Sequence, residues 1–312
     1  MKILSKTKFE NAVHFIKTQA MDIDRAMFEY FFEGKLLEEV IKVLTTYQNE
    51  DGGFGMLDYD MACPVSCMKT TESACRYIFE LDKIPADNPM IQKLIPYIVH
   101  NYNKVSGDFD NLTVPEVNDY PHAFWWAHNQ TEQFVPKNRA ELLEHYDPNT
   151  NSALAGMLVK YSSIVPRDIL EMAMSVVIEK ISLGKNFFQY GMLSDVYFVN
   201  SLTDNILKDN LLQKLMGDGK LISLLDEVWS TENAYKLCNW IDSPNHSYYG
   251  LYKQSIEKNF DFLIDIQNED GSWSPSWSWG EPEVWKKVET RLKGLLTYKF
   301  LLALKKFDFI EE

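Results

Sequence analysis

One pentapeptide, Gln-Asn-Glu-Asp-Gly, stands twice in this chain, at Gln48–Gly52 and at Gln267–Gly271. Two residues beyond each glycine comes an aromatic, Phe54 in the first copy and Trp273 in the second. Apolar residues at helical spacing precede both: Leu36, Leu37, Val40, Ile41 and Leu44, then Ile256, Phe260, Leu263 and Ile264. The copies lie 219 residues apart, and Thr71 and Thr290 keep the same offset. The register is therefore expected to run ungapped past the loop, as in duplicated helical units.

An offset of 219 residues is four units of roughly 55, a length that suits a helical hairpin with its loops. A degenerate copy, Ser106-Gly107-Asp108-Phe109, falls 55 residues after Asp51-Gly52-Gly53-Phe54. About six such hairpins fit in 312 residues, enough to close a ring. The expected architecture is a single all-α domain over residues 1–312, an α/α toroid. The helix after the second loop is apolar on several faces (Val288, Leu292, Leu295, Leu296, Phe300, Leu301, Leu304), as a buried inner helix would be. The amphipathic helices before the loops would form the outer ring.

Periodicity places helices at 9–20, 22–33 and 34–48, then one opened by Pro64 and ending near Leu81. Another runs from Asp87-Asn88-Pro89 to near Lys104, and an aromatic helix is expected over Ala123–Gln130. Further stretches fall at 137–146, 151–164, 166–182, 188–202, 205–216 and 220–229, and two long helices at 248–267 and 283–306 close the chain. No apolar/polar alternation bounded by hairpin turns suggests a strand.

Within the motif every role is structural. A glutamine amide at a helix end can donate to an orphan carbonyl, glycine permits positive φ, and the aromatic folds back over the turn.

The net charge of −14, without clustered Lys or Arg, argues against a nucleic-acid partner. No segment approaches the roughly 20 apolar residues of a membrane span, and Met1–Lys6 has no apolar targeting core. A cytoplasmic setting is expected. Cys63, Cys67, Cys75 and Cys238 read as buried thiols; no Cys-x-x-Cys or His-x-x-x-His spacing completes a metal site, and no cofactor is expected.

Gln-x-x-Asp-Gly-Gly/Ser-Phe/Trp between helical hairpins resembles the repeats of the terpenoid cyclases and the β-subunits of protein prenyltransferases. That resemblance covers 36–79 and 256–304 well and 97–128 less fully. It implies an α/α toroid with an apolar central cavity. In the class II triterpene cyclases, the middle acid of an Asp-x-Asp-Asp motif protonates the substrate. A similar frame stands here: Phe109-Asp110-Asn111, Pro115, Glu116-Val117-Asn118-Asp119, then Ala123-Phe124-Trp125-Trp126. The residue matching the proton donor is Asn118, and an amide cannot supply that proton. Glu116, Asp119 and Asp110 become the catalytic candidates; an ordinary loop with helix-capping acids is the alternative. The prenyltransferase zinc set would need Asp, Cys and His; Asp60, Cys63 and His246 do not reproduce its spacing.

Asp58 and Asp60 flank Tyr59 and are candidates to bind a diphosphate through Mg²⁺, or else belong to a solvated loop. His122 and His128, six apart on the expected aromatic helix, would not share a face. Trp125, Trp126, Trp277, Trp279 and Tyr248 are the candidate substrate-binding aromatics, suited to a carbocation, to a sugar ring, or to plain packing. Three functions stand open: an enzyme or binder for an isoprenoid-like apolar molecule, a carbohydrate-active toroid, and a non-catalytic interaction scaffold. The sugar reading would draw paired carboxylates from Glu116, Asp119, Asp58, Asp60 and Glu281. The resemblance favours the first, and no reaction is assigned.

Overall fold

A computed structural model describes residues 2–81, 83–129, 136–184, 189–217, 237–279 and 283–311. Among the described residues the regular structure is helical, with only isolated β-bridges beside it. The α-helices are α1 (Lys6–Gln19), α2 (Asp22–Glu33), α3 (Leu37–Thr45), α4 (Met68–Leu81), α5 (Pro89–His100) and α6 (Arg139–His145). They continue as α7 (Pro148–Lys160), α8 (Arg167–Leu183), α9 (Gln189–Ser201), α10 (Asn205–Met216), α11 (Tyr249–Asp265) and α12 (Glu283–Lys306). None is long and apolar enough to cross a membrane. The helix expected at 220–229, with Trp229, and the acid Glu281 lie outside the described residues.

The chain divides into two compact units, Met1–Thr46 with Met216–Glu312, and Tyr47–Leu215. In the first, α12 packs on α1 and α2, and α2 on α3. Its two chain ends meet: Leu4 N–H donates to Phe309 O (2.8 Å) and Glu311 N–H to Leu4 O (2.9 Å). In the second unit α7 is central, packed on α4, α5, α8 and, most closely, α9. Gly156 permits that approach, since a Cβ there would sit 3.0 Å from Phe198 Cα. Residues Thr150–Leu158 of α7 and Met68–Cys75 of α4 are buried without a break. Such helices are covered on every side.

Both pentapeptides build the same clasp. Asn49 N–H donates to Gly53 O (2.9 Å) and Gly52 N–H to Asn49 O (3.1 Å); Asn268 and Gly271 repeat this with Ser272 O and Asn268 O (2.9 and 3.0 Å). The glycines take φ of 94° and 85°, where a side chain would be strained. Each glutamine amide spans the turn to the glycine carbonyl (3.0 and 2.9 Å) and also donates to a neighbouring helix. Gln48 reaches Met90 O of α5 (3.0 Å), and Gln267 reaches Lys8 O of α1 (3.1 Å). The glycines then seat three residues further along those helices, Gly52 on Lys93 and Gly271 on Asn11. The aspartates serve the turn: Asp51 Oδ1 accepts from Gly53 N–H and Asp270 Oδ1 from Ser272 N–H, both at 2.9 Å.

Past the clasp the ungapped register fails. Phe54 N–H donates to Thr71 Oγ1 (3.1 Å), but Trp273 N–H donates to Thr297 Oγ1 (3.2 Å), not to Thr290. The stretch from aromatic to threonine is seven residues longer in the second copy, about two helical turns, because α12 begins 14 residues before Thr297 and α4 only three before Thr71; the shared offset of Thr290 is a coincidence of sequence.

Two further expectations are corrected. The helix after Pro64 starts only at Met68, because its first amides are met from another segment: Met68 N–H donates to Asn111 O (2.9 Å) and Lys69 N–H to Leu112 O (3.1 Å). The aromatic helix is reduced to one 3₁₀ turn, Phe124–Trp126. The flanking backbone pairs with the first loop instead, Ala62 N–H with Pro121 O (2.9 Å) and Ala123 N–H with Asp60 O (2.7 Å).

Candidate functional site

Charge lies in an unexpected place, on the fully covered half of α4. Lys69 and Glu72 are 5% and 0% exposed, and Asp58 from the first long loop is 7% exposed beside them. Lys69 Nζ contacts Glu72 Oε2 at 2.9 Å and Asp58 Oδ2 at 3.4 Å. Arg76, one turn further along, holds Glu72 Oε1 at 2.5 Å. Ser73 Oγ donates to Asp58 Oδ2 (2.8 Å), while Asp60 N–H donates to Asp58 Oδ1 (2.9 Å). Two acids and two bases thus neutralise each other where none could stand alone.

Protonation states follow from these contacts. Burial works against the Lys69 ammonium, but Glu72 and Asp58 outweigh it and hold its pKa above the ordinary lysine value. Burial likewise opposes the Glu72 carboxylate, yet Arg76 and Lys69 keep its pKa below the usual range. Lys69 is therefore a fixed cation, neither base nor nucleophile, and Glu72 carries no proton to give. Burial pushes the Cys67 thiol up, so it is no nucleophile either.

The network supports an aromatic ledge. Lys69 Nζ lies 5.3 Å from the ring centroid of Trp126, whose ring packs on Met61, Cys63, Cys67 and Val117. Trp125 Nε1 donates to Asp60 Oδ2 (3.3 Å), and Phe124 meets Trp125 edge-on with centroids 4.8 Å apart. Phe124 is 82% exposed, Trp125 48% and Tyr120 39%. Isolated apolar side chains on a surface are ordinary, but Phe124 and Trp125 touch each other and are exposed together, with Tyr120 exposed on the same short segment.

Of the residues singled out in the sequence, Asp58, Asp60, Trp125 and Trp126 come together here. Asp58 is inside the fold rather than in a solvated loop, and its oxygens are already engaged. Glu116 and Asp119 are exposed on the 3₁₀ turn Pro115–Asp119 of the same segment. With burial as the larger cause, they push the Cys63 thiol up. Asp110 stands apart, taking the Asn103 amide at 3.0 Å. Asn118 makes two bonds to His128, donating to its carbonyl (2.8 Å) and accepting from its amide (2.9 Å). His122 and His128 direct Nδ1 at Tyr120 O (2.8 Å) and Thr113 O (3.1 Å).

Trp277, Trp279 and Tyr248 belong to the other unit. Trp279 stacks on Trp285 (5.9 Å, 11°) and meets Trp277 at an angle (5.7 Å, 69°), all three half-buried. Tyr248 lies at the start of α11 with its ring 6.2 Å from that of His246. Among the described residues no three His, Cys, Asp or Glu side chains gather as a metal site.

The residues missed in the sequence are Lys69, Glu72, Ser73 and Arg76. Their signal was present: a polar stripe at i, i+3, i+4 and i+7, charged at three of the four positions, on a helix flanked by Cys67, Ala74 and Cys75. Comparisons with protein-family models, curated proteins and solved structures return no match to this chain.

Proposed function

We propose that this chain is a terpenoid-cyclase/prenyltransferase-like helical-repeat protein, closed as an α/α toroid, that binds a neutral, isoprenoid-like apolar molecule. Its binding surface is the ledge of Tyr120, Phe124 and Trp125, and its setting the cytoplasm. The observation that carries this reading is the ledge itself, exposed Phe124 and Trp125 beside Trp126, whose ring lies over Lys69 of the self-neutralised charge network. The helical-repeat reading is supported by the two clasps, each of which grips a neighbouring helix, α5 by Gln48 and α1 by Gln267.

The surroundings of the ledge favour a ligand without a diphosphate. Lys69 and Arg76 are spent on Glu72 and Asp58, while Asp60, Glu116 and Asp119 leave the segment anionic. Proton-initiated cyclisation is not part of the proposal, because Asn118 carries no acidic proton and its amide is committed to His128. A sugar remains the second reading, favoured by one feature: a half-exposed indole whose Nε1 is fixed by a carboxylate, Asp60.

Tryptophan fluorescence titrated with farnesol, farnesyl diphosphate and cellopentaose separates these readings. Saturable quenching by farnesol, weaker with the diphosphate and lost in Trp125→Ala, is the expected result. Cellopentaose binding without farnesol binding would transfer the ledge to carbohydrate. Response to neither would leave a protein-recognition scaffold and overturn the proposal.

A further inference from the structure

The early start of α12 builds a groove. Residues 283–293 of that helix have no counterpart in α4, which begins only at Met68. They belong to the same unit as α1, on which α12 packs, and between the two helices lies a space of about 480 Å³. Glycine contacts fix it at both ends. At one, Gly271 of the clasp sits on α1, where a Cβ would come within 2.3 Å of Asn11 C and 2.4 Å of Ala12 N. At the other, Gly294 brings α12 against Ala20, where a Cβ would stand 2.7 Å from Ala20 Cβ. A groove pinned in this way is preformed, as ligand sites usually are.

Its lining is polar. Asn11, His14, Phe15 and Thr18 fall at i, i+3, i+4 and i+7 on one face of α1, and Gln19 continues it. Thr290 and Lys293 line it from α12, and Glu269 and Asp270 from the clasp. Among the described residues, the side chains of Asn11, His14, Gln19 and Glu269 have no hydrogen-bond or ion-pair partner. Thr18 and Thr290 donate to their own helices, at His14 O (2.8 Å) and Lys286 O (2.9 Å), and keep lone pairs to accept with.

That lining selects the class of ligand. An apolar molecule would strip water from four unpartnered polar side chains and return no hydrogen bond. An anion would meet Glu269 and Asp270, while Lys293 is already paired with Glu289 at 3.2 Å. A peptide anchors through large apolar side chains, and among the described residues lining the groove Phe15 is the one apolar side chain. Sugar hydroxyls both donate and accept, which matches two amides, an imidazole and two carboxylates above an apolar floor.

We propose that the groove between α1 and α12 binds a neutral disaccharide, held by Asn11, His14 and Gln19 along one wall and by Glu269 at the clasp end. Asn11 and Gln19 are eight residues apart, about 12 Å along the helix, a span that suits two linked rings. The groove belongs to the first unit and the aromatic ledge to the second, and neither proposal depends on the other.

Amide chemical-shift mapping of the full chain with cellobiose, maltose and lactose tests the assignment, with spermidine as the cationic control. At least one disaccharide should shift residues 11–19 and 290–293 saturably, at roughly millimolar concentration. Asn11→Ala and Gln19→Ala remove exposed side chains from a helix that alanine favours, so the fold should survive. Each should weaken binding about fivefold, in line with one lost hydrogen bond, and Trp125→Ala should leave it unchanged. Absence of a saturable shift with all three sugars overturns the proposal, and so does affinity that survives both alanine substitutions. Spermidine binding without disaccharide binding would reduce the groove to an acidic patch, and sugar shifts confined to residues 120–126 would place the sugar on the ledge; either result overturns it.

Discussion

At position 118 an amide does what a carboxylate cannot, donating to one backbone group of His128 and accepting from another. The sequence made the missing acid visible; the reason for the amide required its partner, ten residues away. Asp195 on α9 is the opposite case, a side chain that nothing in its neighbourhood of sequence singles out. It is 4% exposed, and its Oδ1 has no hydrogen-bond partner. Burial raises its pKa to about 7, only partly offset by the Ser152 hydroxyl and the Lys180 ammonium, with Asp147 adding to the rise. An acid whose folded pKa exceeds its unfolded value stabilises the fold fully below the unfolded value, near 4, and loses that contribution as pH rises to about 7. Wild-type stability should fall between pH 4 and 7 by a few kcal/mol through this group and then level off. In Asp195→Asn that slope should flatten, so the variant gains on the wild type as pH rises. Urea midpoints at pH 5, 6, 7 and 8 measure it, and parallel curves for the two proteins would refute the assignment.

Helix α4 carries the argument at the scale of an element. Its continuous burial was not foreseeable from apolarity, because Lys69, Thr70, Thr71, Glu72 and Ser73 stand among its covered residues. Residues 57–61 bring Asp58 to Lys69, a contact across 11 positions of sequence that periodicity on one helix does not disclose. Because the network is neutral as a set, removing one member should hurt more than removing a pair. Glu72→Gln leaves Lys69 and Arg76 facing one carboxylate and should cost about 3–5 kcal/mol. Lys69→Met combined with Glu72→Leu should recover part of that loss, Asp58 keeping its bond from Ser73. A denaturation cycle over the single and double variants decides it, and additive losses would contradict a coupled network.

Across the whole molecule, the repeated pentapeptide was the most legible feature. Its glycines, glutamines and aspartates occupy the structural roles their chemistry suggests, and the all-helical class followed from it. The helices each clasp grips were not legible, since the partners of Gln48 and Gln267, Met90 and Lys8, share no motif. Nor was the position of the second threonine, because the helix after each clasp starts at a different distance from its threonine while the clasp does not change. The ledge was half legible: Trp125 and Trp126 stood out as a pair, but the support of Trp126 by Lys69 and of Trp125 by Asp60 depends on a non-local approach.

The central claim is that one motif performs one act twice, fastening the helix it faces, and that its second use ties α1 to the C-terminal part of the chain. Hydrogen exchange on Gly271→Val measures this most directly. The glycine has φ 85° and sits on the Asn11–Ala12 backbone, so a branched side chain must force the two apart. The prediction is lost protection along α1 around Ala12–Ile16, together with the 267–273 turn, while α5 keeps its protection. If α1 exchanges in the variant as slowly as in the wild type, the second clasp does not hold it, and the account fails.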